Sequence, residues 1–179
     1  MITIDFANTY IPITMAEDYT AMTFNSPQVN GSHVRILVQL QLFPIPKLSN
    51  VYNLGFGPSD GKGSFLDNVT LQHLNVNMVF SCIMLLPLAF LKLNPDYIIG
   101  LDGSNDARAR IYHMMFRSNI TQLGAYLETI GLDYYVRQLR NGKLETDSSQ
   151  EYVYTPIPEA FDYDRTSKNL YRYYMFYQK

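Results

Sequence analysis

The sequence predicts a single α+β domain over residues 1–179, with a mostly antiparallel sheet packed on a long buried helix and two shorter helices. Segments with a hydrophobic period of two lie towards both ends of the chain, and segments with helical spacing lie in the middle. The steady alternation of strand and helix that marks a doubly wound sheet is missing. At 179 residues the chain also has the length of one domain.

The first strands form a predicted antiparallel hairpin. Residues 20–24 and 34–43 alternate between apolar and polar side chains, and Asn30-Gly31 between them is typical of a tight turn. Residues 51–56 are a third expected strand, and Pro44 and Pro46 are expected to end the second one. The residues of the second strand expected to face the core are Ile36, Val38, Leu40 and Leu42. Those expected to be more exposed are Arg35, Gln39 and Gln41.

The middle of the chain predicts one central helix, beginning near residue 71 or 75 and ending near residue 92. Residues 78–91 are apolar on every side, which is typical of a buried helix. Pro87 predicts a kink, or a break near Leu86. The 14-residue apolar run is shorter than the roughly 20 residues of a membrane-spanning helix, and no signal peptide is recognisable, so we expect a cytoplasmic protein without a membrane partner.

The remaining elements complete the predicted fold. A short buried strand at 96–101 leads into a helix at 105–117, and a third helix at 120–130 is expected to end at Gly131. A hairpin at 134–146 turns at Asn141-Gly142, a long loop covers 147–164, and a closing strand spans 170–177. The tyrosines of this last strand suit core packing, a protein interface or base stacking, and the sequence does not choose among these.

Composition excludes several kinds of site. The single cysteine, Cys82, cannot form an internal disulfide or a zinc site of several thiolates, and we expect a buried, inert thiol. The three histidines lie far apart in the sequence, so no metal site is expected. No phosphate-loop, dinucleotide or serine-hydrolase motif is present, and no cofactor is expected. A net charge of −2 disfavours nucleic acid as a partner without excluding it.

One segment, at residues 97–112, has the features of an anion site. A buried strand leads through Gly103 and Ser104 directly into a helix, whose first amides carry partial positive charge. Arg108 follows Ser104 by one turn and is the expected clamp for a phosphate group. Arg110 points about 200° away from Arg108 and is the expected surface residue of the pair.

The same helix has further expected features. Arg110, His113 and Arg117 fall on one predicted face, with Tyr112, His113 and Arg117 as accessory groups of the anion site. The apolar stripe beside them is expected at Ala107, Ile111 and Met114. A purely structural interpretation uses the same residues, with Ser104 as the helix cap, Asp106 paired with Arg110, and Arg117 complementing the helix dipole.

Two parts of the chain resemble a known family. The segment Tyr52-Asn-Leu-Gly-Phe-Gly57 and the matches at Gly103, Ser104, Ala107, Arg108, Arg110 and Tyr112 are similar to an uncharacterised family of small bacterial proteins common in Bacteroidetes. That family has a Gly-Ser-x-x-Ala-Arg-x-Arg-x-Tyr segment, and the resemblance covers roughly residues 51–146. It implies a bacterial, cytoplasmic protein and brings no activity with it.

Three functions are compatible with these observations. The first is a non-enzymatic binding protein in which Gly103, Ser104, Arg108 and Arg110 hold a phosphate-bearing or acidic partner. The second is an enzyme that processes RNA or nucleotides, in the manner of a small toxin ribonuclease, with His113 in its site. The third is a protein–protein interaction module that uses the tyrosine-rich strand.

Overall fold

A computed structural model describes residues 1–43, 50–66, 69–103 and 105–179, and it confirms the α+β class. Within these described ranges, eight strands form one mixed sheet, and three helices accompany it. The strands are β1 (Pro12–Met15), β2 (Ala21–Pro27), β3 (His33–Leu42), β4 (Val51–Pro58), β5 (Ile98–Asp102), β6 (Leu127–Val136), β7 (Tyr154–Ala160) and β8 (Tyr173–Gln178). The helices are α1 (Val76–Leu93), α2 (Asp106–Ser118) and α3 (Ile120–Gly124).

The order of the strands in the sheet is β1-β2-β3-β4-β5-β8-β6-β7. Within it β4 and β5 are the parallel pair, joined by the crossover that contains α1, and the other neighbours run antiparallel. The parallel pairing extends from Val51 to Asn53 on β4, whereas the pairing of β4 with β3 continues to Pro58. The last residues of β4 therefore pair with β3 beyond the register that joins β4 to β5, and a cleft adjoins this point.

The first hairpin agrees with its prediction, apart from one residue. β2 and β3 pair from Ala21↔Gln39 to Pro27↔His33, with Gly31 in the turn at a φ of 81°. Ile36, Val38 and Leu40 are buried, but Leu42 is exposed, so its expected place in the core is wrong. Leu42 ends the strand, where fewer neighbours surround it. The expected end of this strand at Pro44 and Pro46 lies outside the described residues.

Proline marks both edges of the sheet. Pro12 lies in β1, and Pro156 and Pro158 lie in β7, in the segment expected to be a long loop. The expectation of a loop over 147–164 is wrong at residues 154–160, because an edge strand tolerates proline wherever its backbone nitrogen faces away from the neighbouring strand. The missing N–H groups also leave fewer donors for pairing with another chain.

The expected third helix is wrong beyond its first turn. α3 ends at Gly124, and β6 begins at Leu127, so Gly131 lies inside a strand instead of ending a helix. Gly131 leaves room for the buried ring of Tyr171, which occupies the space that a side chain would take. The expected turn at Asn141-Gly142 exists, with Gly142 at a φ of 79°, but the main partner of β6 is β7.

The central helix is longer than the apolar run that predicted it. α1 begins after Asn75, whose side chain accepts a hydrogen bond from the Met78 amide at 3.2 Å, and it continues through Pro87 without the possible break. Most of residues 78–91 are buried, and its half-buried residues include Leu85, Leu88 and Ala89. By length and apolar composition α1 could cross a membrane, a test that core helices of soluble proteins also pass.

Cys82 is buried in α1 at 1% exposure, as expected. Its sulfur accepts a hydrogen bond from the Tyr10 amide at 3.0 Å, and the thiol donates to the Tyr10 carbonyl at 3.4 Å. Burial raises the pKa of this thiol to about 11, so the reactive thiolate is scarce at neutral pH.

We therefore expect no reaction of Cys82 with an aromatic disulfide reagent at pH 7.5 in the native protein. The same reagent should label one thiol per chain once the protein is unfolded in guanidinium. Absorbance of the released thiolate gives both values. Full labelling within minutes without denaturant would contradict the buried position.

The tyrosine-rich closing strand lies inside the sheet, between β5 and β6. Tyr174 and Phe176 join the core under the helices, and Tyr173 belongs to a smaller cluster with Val51, Leu132 and Met175. All of these side chains are buried, so Tyr173, Tyr174 and Phe176 are core residues, whereas Tyr177 near the end of the strand is half-buried.

Candidate functional site

The start of α2 is capped by a residue other than the expected one. Asn105 is the cap, and its side chain accepts a hydrogen bond from the Arg108 amide at 2.9 Å. The Gly103 amide donates to the Arg172 carbonyl at 3.0 Å, and the Ala109 amide donates to the Asn105 carbonyl. Ser104 lies outside the described residues. These three amides are thus used within the fold.

Gly103 has a packing role. A side chain there would lie 3.0 Å from the Tyr174 ring and 3.3 Å from the backbone of Ala109. The absence of that side chain lets the strand end, the helix start and the β8 aromatic residue approach one another closely. Gly103 thereby brings the first turn of α2 against the sheet.

The buried face of α2 differs from the predicted apolar stripe. Ala107 and Met114 are exposed and Ile111 is half-buried, so the expected stripe is wrong. The buried residues are Ala109, Tyr112, His113, Met115 and Phe116. Tyr112 and Phe116 pack on Tyr174 of β8, so the aromatic residues of the sheet select this face. Helical spacing alone permits either stripe, because the two are related by a rotation of the helix.

His113 lies on this buried face, whereas Arg110 and Arg117, three residues before it and four after it, are exposed. Its ring stacks on Phe161 with centroids 5.2 Å apart, and its Nε2 donates to the Tyr163 carbonyl at 3.3 Å. Nδ1 is buried and has no hydrogen-bond partner among the described residues. Burial lowers the pKa of this imidazole, and the positive charge of Arg117 adds to the effect.

The lowered pKa predicts a pH dependence of stability. An unfolded histidine takes up a proton near pH 6.5, whereas folded His113 resists it, so stability should fall as the pH drops below that value. Burial also lowers the pKa of His73, so this residue should contribute to stability in the same direction. Urea unfolding at pH 7.5 and pH 5.5 should therefore show a smaller free energy of unfolding at pH 5.5. His113→Gln should reduce that difference, and an unchanged difference would contradict a buried neutral imidazole.

The three arginines of α2 have different environments. Arg110 is exposed, and Arg117 lies 3.7 Å from Asp164 in an exposed pair. Asp106, the expected partner of Arg110, pairs with Arg172 at 2.8 Å. Arg108 is half-buried and faces the cleft that adjoins β4 and β5. The structure thus separates Arg108 from Arg110, as their spacing predicts.

This cleft has a volume of about 250 Å³ and lies at the carboxyl ends of the parallel strands. We call it the Arg108 cleft. Its lining includes Asn53, Phe56, Phe65, Asp102, Arg108 and Tyr112. Crevices at the carboxyl ends of parallel strands are the usual ligand sites of open sheets, because the strand pairing ends there and a helix begins.

One wall of the Arg108 cleft is aromatic. The ring of Phe56 meets those of Phe80 and Tyr112 edge to face, with centroids 5.9 and 6.3 Å apart. Phe65 lies directly on the backbone of β4, because a side chain at Gly55 or Gly57 would lie 3.0 Å or less from its ring. These two glycines therefore seat the Phe65 ring at the cleft.

The cleft also has polar lining residues. Asn53 and Asp102 line both the Arg108 cleft and a smaller cavity of about 170 Å³ that is also lined by Tyr134 and Tyr173. The Tyr173 hydroxyl donates to Asn53 Oδ1 at 3.1 Å. Burial raises the pKa of Tyr134 and of Tyr173, with the charge of Asp102 adding to both, so both phenols stay neutral at pH 7.

A third cavity, of about 300 Å³, continues the cleft along α1 and shares Phe56, Phe80 and Arg108 with it. His73 lies at this cavity, and its Nδ1 is 2.8 Å from Ser26 Oγ. Arg108 is thus common to two adjoining cavities. Over the residues that the structure describes, no cluster of three His, Cys, Asp or Glu side chains is arranged to hold a metal ion.

Sequence reasoning missed the β4 side of the cleft. Asn53 and Phe56 belong to the segment that carries the family resemblance, but that family brings no activity with it, and Phe65 carries no charge and lies outside the segment. The spacing of Gly55 and Gly57 was the available signal, because two glycines on one face of a strand leave a place for a ring.

Comparison with known proteins gives one match. A family model described as "Family of unknown function (DUF6934)" matches residues 7–153, a range that includes β4, β5 and α2. No curated protein and no solved structure matches the chain. The expected membership of an uncharacterised family agrees with this match.

Proposed function

The chain belongs to the family of unknown function DUF6934, and from the geometry of the Arg108 cleft we propose that it is a binding protein for a small aromatic anion of the nucleoside monophosphate class. Arg108 would hold the phosphate group, and the aromatic wall would hold the base. We further propose that the protein is bacterial and cytoplasmic, and this part of the proposal rests on the family resemblance.

The position of Arg108 carries the proposal. A guanidinium group holds phosphate oxygens through two parallel hydrogen bonds, and its attraction for an anion is screened less in a half-buried cleft than on an open surface. The side chain comes from the first turn of α2, where the helix dipole also favours negative charge. The dipole and the guanidinium therefore act on the same region of the cleft.

The other groups of the cleft suit a nucleotide. Phe65 and Phe56 offer apolar ring surface to a flat base, since stacking on aromatic side chains is how proteins commonly hold bases. Asp102 accepts hydrogen bonds from amino or hydroxyl groups, and Asn53 both donates and accepts. The extension, about 300 Å³, is at the lower end of the usual size range of small-molecule sites, and the Arg108 cleft adds about 250 Å³ beside it.

No specific observation supports the other two functions that the sequence permits, an enzyme that processes RNA or nucleotides and a protein–protein interaction module. His113, the histidine of the ribonuclease hypothesis, is buried against Phe161. Among the β8 tyrosines of the interaction hypothesis, Tyr173 and Tyr174 are buried and Tyr177 is half-buried. The observations around Arg108 therefore favour binding of a small ligand, and both other functions stay predictions.

Calorimetric titration with the four common nucleoside 5′-monophosphates, and with inorganic phosphate as a second probe, tests the proposal. We expect at least one nucleotide to bind more tightly than phosphate, because the aromatic wall adds affinity. Arg108→Gln should weaken that binding about tenfold or more, since a hydrogen bond to a charged group contributes about 1.5–3 kcal/mol.

Arg110→Gln is the matched control, because it removes the same charge from an exposed position on the same helix. Its affinity should stay within about twofold of wild type, since surface charges that are exposed contribute little. Circular dichroism checks that both variants fold. Equal losses in the two variants, or no nucleotide binding by the folded wild type, would contradict the proposal.

A further inference from the structure

A second cleft lies at the other end of the sheet, where β6 begins and β8 ends. Its volume is about 440 Å³, and α1 supplies one wall through Leu85, Leu88 and Ala89. These residues are half-buried, although α1 is apolar all round. The core leaves this part of the helix surface partly uncovered, and the cleft is the space beside it.

The remaining walls of this second cleft are also mostly apolar. Phe6 and Tyr126 meet edge to face with centroids 6.5 Å apart, and Leu127 lies at the start of β6. A cavity of this size with apolar walls and few polar groups is typical of a site for a small hydrophobic molecule. Among the described residues it shares no lining residue with the Arg108 cleft.

The charged groups that line this cleft are basic, and Gln178 adds an uncharged amide. Lys92 comes from the last turn of α1, and Lys179 follows β8. The Lys179 ammonium is held in place, because Nζ donates to the Gly124 carbonyl at 2.8 Å and lies 3.9 Å from the Glu128 carboxylate. Lys92 is exposed in the last turn of the helix, where the dipole attracts cations to the carbonyl ends. Two ammonium groups next to apolar walls suit a ligand with an apolar chain and an anionic head.

We propose that this cleft binds a fatty acid, with the hydrocarbon chain along Leu85, Leu88 and Ala89 and the carboxylate near Lys92. Charge complementarity selects a carboxylate over an alcohol or an amine of the same length. The inference concerns a different site from the Arg108 cleft and does not depend on the proposed nucleotide function.

Titration with laurate below its micelle concentration tests this proposal, with dodecanol and dodecylamine as probes of equal chain length. We expect laurate to bind at least about tenfold more tightly than either. Across caprylate, caprate and laurate the affinity should rise by up to about fourfold per methylene, because each buried methylene adds a similar increment to the free energy of binding.

Two variants locate the site. Lys92→Gln should remove the preference for laurate over dodecanol while leaving dodecanol binding unchanged, and Ala89→Phe should fill the cleft and abolish binding of both. Lys143→Gln, at an exposed position in the β6–β7 connection, is the control and should bind laurate like wild type. Circular dichroism and thermal unfolding show whether each variant is folded.

The proposal is overturned by equal affinity of wild type for laurate and dodecanol, by laurate binding that survives in folded Ala89→Phe, or by no binding at all. Arg108→Gln distinguishes this site from the first one, because it should leave laurate binding unchanged. Loss of laurate binding in Arg108→Gln would place the fatty acid in the Arg108 cleft and overturn the assignment.

Discussion

Leu40→Ala should lower the free energy of unfolding by about 2–5 kcal/mol, the usual cost of truncating a fully packed leucine. Leu40 is 5% exposed and belongs to the core beneath the helices, so its loss leaves a cavity as well as removing buried apolar surface. Urea unfolding followed by circular dichroism measures the change.

Leu42→Ala is the matched control for this variant. Leu42 lies two residues further along β3 and points to the same face of the strand, but it is 57% exposed. Its replacement should change stability by no more than about 0.5 kcal/mol, as is usual for surface positions. Similar losses in both variants would show that the core extends to the end of β3, against the structure described above.

Gly131→Ala should destabilise the protein by about 1–3 kcal/mol through overpacking. The ring of Tyr171 occupies the space that the new methyl group needs, and this ring is fully buried. Tyr171 also has little freedom to move away, because its hydroxyl donates to Glu159 at 2.9 Å and the Arg165 guanidinium lies 3.7 Å from the ring centroid.

Gly124→Ala provides the comparison, since nothing lies within 4 Å of a side chain at Gly124. It should leave the free energy of unfolding unchanged within about 0.5 kcal/mol, or raise it slightly through helix propensity. The same urea titration measures both variants. A Gly131→Ala protein as stable as wild type would mean that Tyr171 does not lie against β6.

The sequence predicts the α+β class because local patterns determine it. Alternation identifies β2 and β3, and an apolar run identifies α1, since both periods are visible within one segment. It does not predict β7, because Pro156 and Pro158 mark a loop unless the strand is known to lie at an edge. Which strand lies at an edge depends on the pairing of distant segments.

The candidate site shows the same division. The difference between Arg108 and Arg110 follows from the helical period and is predictable. The buried face of α2 is not, because Tyr174 of β8 selects it from 58 or more positions away along the chain. At the Arg108 cleft the spacing of Gly55 and Gly57 indicates a place for a ring on β4, but it does not reveal that Phe65, outside the strand, supplies that ring.

The most direct test of the central claim is a map of amide chemical shifts while adenosine 5′-monophosphate, or whichever nucleotide binds best, is added to the ¹⁵N-labelled protein. The account predicts that the largest changes fall on the amides of Gly55, Gly57, Asp102 and Arg108, which surround the Arg108 cleft. The amides of Ala89 and Leu127, at the second cleft, should not change. Changes centred elsewhere on the sheet, or the same map in Arg108→Gln, would contradict a ligand site at the carboxyl ends of β4 and β5.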